Sequence, residues 1–123
     1  MTVIKTRLVC EIILILGLTQ LICGHHVYNV GDYHNWNPHV DYKAWVAGKT
    51  FYPGDVLEFK FVEGLNVKQV TAKDFEACKA ENAILEDHSG KTAIPLNKTG
   101  NYYFICSLYD YCHMGMKLNV TVN

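Results

Sequence analysis

"NYYFICSLYDYCHMGMKLNVTV", residues 101–122, carries the most structural information in the chain. Its two ends follow a two-residue period. "NYYFIC" (101–106) is rich in the aromatic and β-branched residues that strands prefer, and it sets Tyr102, Phe104 and Cys106 on one face. "MKLNVTV" (116–122) sets Met116, Leu118, Val120 and Val122 on one face and turns Asn119 outward. The connection adds Cys112, His113 and Met114. So much sulfur and imidazole at one strand junction raises three readings: a metal site, the remnant of one, or an ordinary strand and turn.

The same period recurs upstream. "VLEFKF" (56–61) places Leu57, Phe59 and Phe61 against Glu58 and Lys60, after the turn Pro53-Gly54-Asp55. "HVYNVGD" (26–32) and "NVKQVT" (66–71) read as further strands, and "SGKTAIPL" (89–96) as a turn and then a strand ending at Pro95, which suits a sheet edge. "KDFEACKAE" (73–81) breaks the period and predicts a short helix with Asp74 near its start. Trp36 and Trp45 sit in an irregular stretch. They are expected to cover one end of a small core rather than to form a sugar-stacking surface. Six or seven short strands between turn signals predict an all-β sandwich or barrel.

The first 24 residues are of another kind. Lys5 and Arg7 precede the apolar run "IILILGL" (12–18), followed by Thr19-Gln20 and the small Gly24. That is the order of a secretory signal peptide. The run from Leu8 is broken by Glu11 and Gln20 and falls short of the roughly 20 apolar residues that span a bilayer. Residues 1–24 are therefore expected to be cleaved near His25, leaving 25–123 as one domain.

That domain holds nine Lys and Arg against eleven Asp and Glu. The balance gives no footprint for nucleic acid and no polybasic patch for anionic lipid. The sequence ends at Asn123 without the apolar tail of a lipid-anchor signal, so no stable membrane anchor is expected. The expectation is a secreted monomer. No Gly-x-Ser-x-Gly, His-Glu-x-x-His or glycine-rich phosphate loop occurs, and no enzyme chemistry is expected.

Secretion makes the cysteines disulfide candidates. Cys10 and Cys23 leave with the signal. Cys78, Cys106 and Cys112 remain, with three possible pairings and one thiol over. Two sequons, Asn97-Lys98-Thr99 and Asn119-Val120-Thr121, are candidate glycan sites. Cleavage after Cys23 would expose Gly24-His25-His26, whose amine, amides and third-position imidazole can hold Cu(II) in a square plane. The plainer reading there is two exposed histidines on a frayed terminus.

Taken in order, "VGDYHNW", "DYKAWVAGKTFYPGDVLEFKF", "LNVKQVT", "FEAC", "SGKTAIPLNKTGNYYFIC" and Cys112 followed by "GMKL" resemble plant phytocyanins, the secreted blue-copper cupredoxins. The resemblance runs from Val27 to Val122. The lack of a Pro/Ser-rich tail makes it most similar to the plantacyanin, or basic blue, branch, although the net charge is not basic. It implies a cupredoxin-like Greek-key β-sandwich of two sheets with one or two short helices. It also implies a Cys78–Cys112 disulfide and a type 1 copper held by two histidines, a cysteine and an axial Met or Gln. The function it implies is single-electron transfer.

Carried over residue by residue, Cys106 and Met116 match the thiolate and axial positions. The imidazole positions do not match. Leu65 stands in Leu65-Asn66-Val67 where the family has His-Asn-Val, and Tyr111 stands before Cys112 where the family has His. Leucine has no lone pair, and a phenol is a poor ligand unless deprotonated. His113 and His88 are the candidate substitutes, with solvated surface positions as the plainer reading. No cofactor is expected, and copper only if an altered ligand set assembles. The resulting expectation is a non-redox glycoprotein of the extracellular space or apoplast, acting on an unidentified extracellular or cell-wall partner. The alternative is a copper-binding single-electron carrier with altered ligands.

Overall fold

The computed structural model describes residues 9–24 and 26–123. Lys5, Arg7 and His25, on which the signal, its cleavage point and the amino-terminal copper motif depend, lie outside them. Strands β1 (Val9–Ile15) and β2 (Leu18–Gly24) form an antiparallel hairpin closed at Ile15 and Leu18. This hairpin shares no ladder with the other strands. Among the described residues no helix is long and apolar enough to cross a membrane.

The remaining elements are β3 (Val27–Asn29), α1 (Tyr42–Val46), β4 (Asp55–Lys60), β5 (Val67–Val70), α2 (Ala72–Ala77), β6 (Leu85–Asp87), β7 (Lys91–Leu96), β8 (Gly100–Ile105) and β9 (Lys117–Val122). They build two sheets, ordered β3-β4-β7 and β6-β5-β8-β9. Among the described residues the one parallel ladder is β3 with β4. A parallel bridge between Phe51 and Val122 ties the chain before β4 to β9. This is the cupredoxin-like sandwich that the family resemblance implied, with β7 and its Pro95 at a sheet edge.

Alternation explains the core. In β4 the buried positions are Asp55, Leu57 and Phe59, and in β9 they are Leu118, Val120 and Val122. Asn119 and Thr121 face solvent, as the period requires. Phe59 meets Trp36 edge-on at 5.1 Å and Phe104 at the same distance, so the two sheets interlock through aromatic rings. Trp36 is fully buried and Trp45 nearly so, which rules out a sugar-stacking role for either. Helix α1, in the stretch read as irregular, is capped by Asp41, whose carboxylate accepts from the Ala44 N–H at 3.1 Å.

Two expected boundaries shift. The strand expected over 26–32 stops at Asn29, because Gly31 turns the chain with φ +82° into a 3-10 turn over Asp32–His34. The helix expected over 73–81 runs only over Ala72–Ala77. Thr71 caps it, accepting from the Asp74 N–H at 3.2 Å. It stops because Cys78 takes the left-handed conformation, φ +54°. The outer face of β8 is covered toward Ile105, while Asn101 on the same face stays exposed. Ile105 packs there with Val70 and Cys112, under Phe75 and Tyr103.

Cys78 is bonded to Cys112, and Cys106 is a buried free thiol. The bridge ties α2 to the β8–β9 connection. On the chain-entropy account, closing a loop of this size contributes about 3–4 kcal/mol. Replacing both cysteines by serine should lower stability by that amount in reversible urea unfolding, and a loss below about 1 kcal/mol would contradict the account.

Gly31 supplies a second test. A Cβ placed there would lie 2.2 Å from the Asn35 carbonyl oxygen, whereas at Gly64, φ +93°, nothing lies within 4 Å. Both alanine variants carry left-handed strain of about 1–2 kcal/mol. Gly31→Ala should cost clearly more, since backbone must also move. Equal unfolding midpoints for the two variants would show that the turn relaxes freely.

Candidate metal centre

The β8–β9 ladder decides which side chains meet at the end of the sandwich. Its inward pairs run Tyr102 with Val120 and Phe104 with Leu118. One more step along the period brings Cys106 opposite Met116, and the Cys106 N–H donates to the Met116 carbonyl at 3.1 Å. Both sulfurs therefore point into the core, and both residues are fully buried. No charged partner is required to hold them there. Strand period and apolar packing suffice.

Leu65 arrives from the other direction, on the connection between β4 and β5. Its N–H donates to the Val62 carbonyl at 3.3 Å in a tight turn. It is buried at 8% exposure in the same hydrophobic cluster as Cys106 and Met116. Burying a leucine side chain contributes about 1.5–3 kcal/mol. Tyr111 packs against this cluster from the loop side and is half-buried. Its carbonyl accepts from the Met116 N–H at 2.8 Å and the Met114 N–H at 3.1 Å, so the turn between Ser107 and Gly115 is wound on its own backbone.

Asn66 was not singled out from the sequence, yet it organises the site. Among the described residues it is one of two buried polar ones, with Asp55. Its side-chain amide donates to the Ser107 hydroxyl at 2.8 Å and accepts from the Ser107 N–H at 2.9 Å. Its backbone carbonyl takes the Trp36 indole N–H at 2.8 Å. These bonds lock the residue after Leu65 to the residue after Cys106, fixing the spacing of the two loops. The signal in the sequence was an amide lodged between apolar Leu65 and Val67. A short polar side chain in such a place is retained when it satisfies backbone groups.

Tyr42 of α1 closes the neighbouring wall. Its hydroxyl donates to the Asn35 carbonyl at 2.8 Å and accepts from the Asn37 N–H at 2.8 Å. Burial pushes its phenol pKa well above the ordinary value; the Asn37 N–H opposes the shift and nearby Cys106 adds to it.

His113 and His88 are exposed, while Cys106 is sealed. His113 lines an outer groove with Lys117 and Asn119, on the opposite face of β9 from Met116. The structure does not bring either histidine to the sulfur pair. Among the described residues no three His, Cys, Asp or Glu side chains converge as a metal site. The local donors are a thiol, a thioether and, at the rim, a phenol, with an aliphatic side chain filling the fourth wall. A Cu(II) centre of the two-imidazole, one-thiolate kind does not fit this set. Asn97 and Asn119 are both exposed, as glycan acceptors must be.

Residues 35–116 match the plastocyanin-like domain family. A blue copper protein of Pisum sativum is 41% identical over 97 residues, covering 78% of this chain and 51% of that protein. Stellacyanin of Toxicodendron vernicifluum is 36% identical over 102 residues, covering 78% and 95%. The chain thus spans about half the length of the first and nearly all of the second. The solved structure of cucumber basic protein, a blue copper protein, superposes with a TM-score of 0.71 at 34% identity, covering 79% of this chain and 99% of that one. With the sandwich, the cross-linking disulfide and the paired sulfurs in place, the chain belongs to the plastocyanin-like family and is a phytocyanin.

Proposed function

We propose that this phytocyanin is a secreted glycoprotein with a degenerate type 1 copper site, and that it acts outside the cell as a non-redox binding or structural protein. The observation that carries this reading is Leu65, buried in one apolar cluster with Cys106 and Met116. A side chain without a lone pair fills the space where the family resemblance calls for an imidazole. Loss of the imidazole is self-consistent, since a buried histidine without a partner costs free energy that leucine does not. Secretion is supported by the basic, apolar and small order of residues 1–24 and by the Cys78–Cys112 bridge, which suits an oxidising compartment. A near-neutral balance of charge agrees with a protein that seeks neither nucleic acid nor anionic lipid.

Copper titration of the folded protein tests this reading. Adding Cu(II) should produce no intense blue thiolate-to-copper band, because nothing holds the ion beside Cys106. A blue unmodified protein would overturn the reading in favour of an electron carrier with altered ligands.

The converse experiment asks whether the scaffold survives. Leu65→His with Tyr111→His restores two imidazoles while leaving Cys106, Met116 and the Asn66–Ser107 bonds in place. The double variant should turn blue with Cu(II), and each single variant weakly or not at all. A folded double variant that stays colourless would show that the loops have drifted from ligating positions.

A further inference from the structure

On the outer face of the β8–β9 pair, Asn119 stands directly opposite Tyr103. The Tyr103 ring lies 5.2 Å from that of Phe75, on α2. Directly opposed residues hold their Cβ atoms about 4.5–5.5 Å apart, so a group attached to Asn119 starts within reach of this aromatic pair. Asn119 also lines a groove of about 900 Å³, walled by Tyr42 and Val46 of α1, by Phe75 and by the turn residues His113 and Met114. Its floor is fixed. Lys117, two residues before Asn119 on the same face, lies over the Phe75 ring at 4.2 Å and donates to the Phe75 carbonyl at 2.7 Å. Asn119 opens the sequon completed by the exposed Thr121. Asn97, the other sequon asparagine, does not line this groove.

We propose that Asn119 carries an N-linked glycan whose first sugar packs on Tyr103 and the edge of Phe75, at the margin of this groove, as part of the packed structure. The proposal rests on the secretion reading above. In the transfer, the Asn119 amide nitrogen bonds to the anomeric carbon of an oligosaccharide carried on a lipid diphosphate. The anomeric C–O bond breaks, the lipid diphosphate leaves, and the amide nitrogen gives up one proton. After β9 pairs, the seated sugar lays an apolar C–H face on the aromatic pair and keeps its hydroxyls toward water.

The test uses the protein secreted from a eukaryotic host. Glycopeptide mapping should find Asn119 occupied. Under native conditions a peptide N-glycosidase should release the Asn119 glycan at least tenfold more slowly than a glycan on Asn97 or on the unfolded chain. Asn119→Gln should lower the thermal midpoint by roughly 3–8 °C, the shift that one aromatic contact makes in a domain of this size. In a Tyr103→Val background, where the strand former remains and the ring is gone, Asn119→Gln should change the midpoint little. Occupancy of Asn97 with Asn119 empty overturns the proposal and leaves secretion standing. Glycan at neither site also overturns the proposal, whereas a chain that fails to reach the medium overturns the secretion reading. Equal native and unfolded release rates at Asn119, or an unchanged midpoint loss in the Tyr103→Val background, would show a glycan that hangs free in solvent.

Discussion

The register of β8 against β9 is the constraint on which the rest depends. A period of two residues over six consecutive pairs sends Phe104, Leu118, Val120 and Val122 into the core. The same period, carried one step further, delivers Cys106 and Met116 side by side at the end of the sandwich. A one-residue slip would turn both sulfurs to solvent and bury Asn119 and Thr121 instead. The slip is blocked from both ends: by apolar packing within the sheet, and by the Cys78–Cys112 bridge on the loop that joins the two strands.

Much of this was legible in the sequence because it rests on local alternation. The inward faces of β4 and β9, the exposure of Asn119 and the edge position of Pro95 all follow from residue period and turn chemistry. Burial of both tryptophans followed from the area that a large aromatic must hide. What was not legible depended on groups distant in the chain. The end of α2 at Ala77 is set by the left-handed Cys78 and its bridge, and no propensity over 73–81 reveals that. The short α1 hid in an irregular stretch because its stability lies in Tyr42 and Trp45 reaching the core.

The site divides along the same line. Cys106 and Met116 could be placed by strand period, and Leu65 and Tyr111 by likeness to a family pattern. Asn66 could not, since its partners, Ser107 and Trp36, stand 41 and 30 residues away. On the proposed reading, that bond set explains how a copper-type end can persist without imidazoles. The spacing of the two loops is held by an amide and a hydroxyl rather than by a metal, and Leu65 restores the apolar packing of the wall. On the proposed reading, the ligands were lost from a frame that did not need them to fold.

The most direct measurement is a crystal structure of the protein grown or soaked with copper, with anomalous diffraction collected at the copper edge. The account predicts Leu65 packed in the cluster with Cys106 and Met116, and no anomalous peak within bonding distance of the Cys106 Sγ. A copper peak there, with Leu65 displaced and His113 or His88 swung in as a ligand, would contradict it.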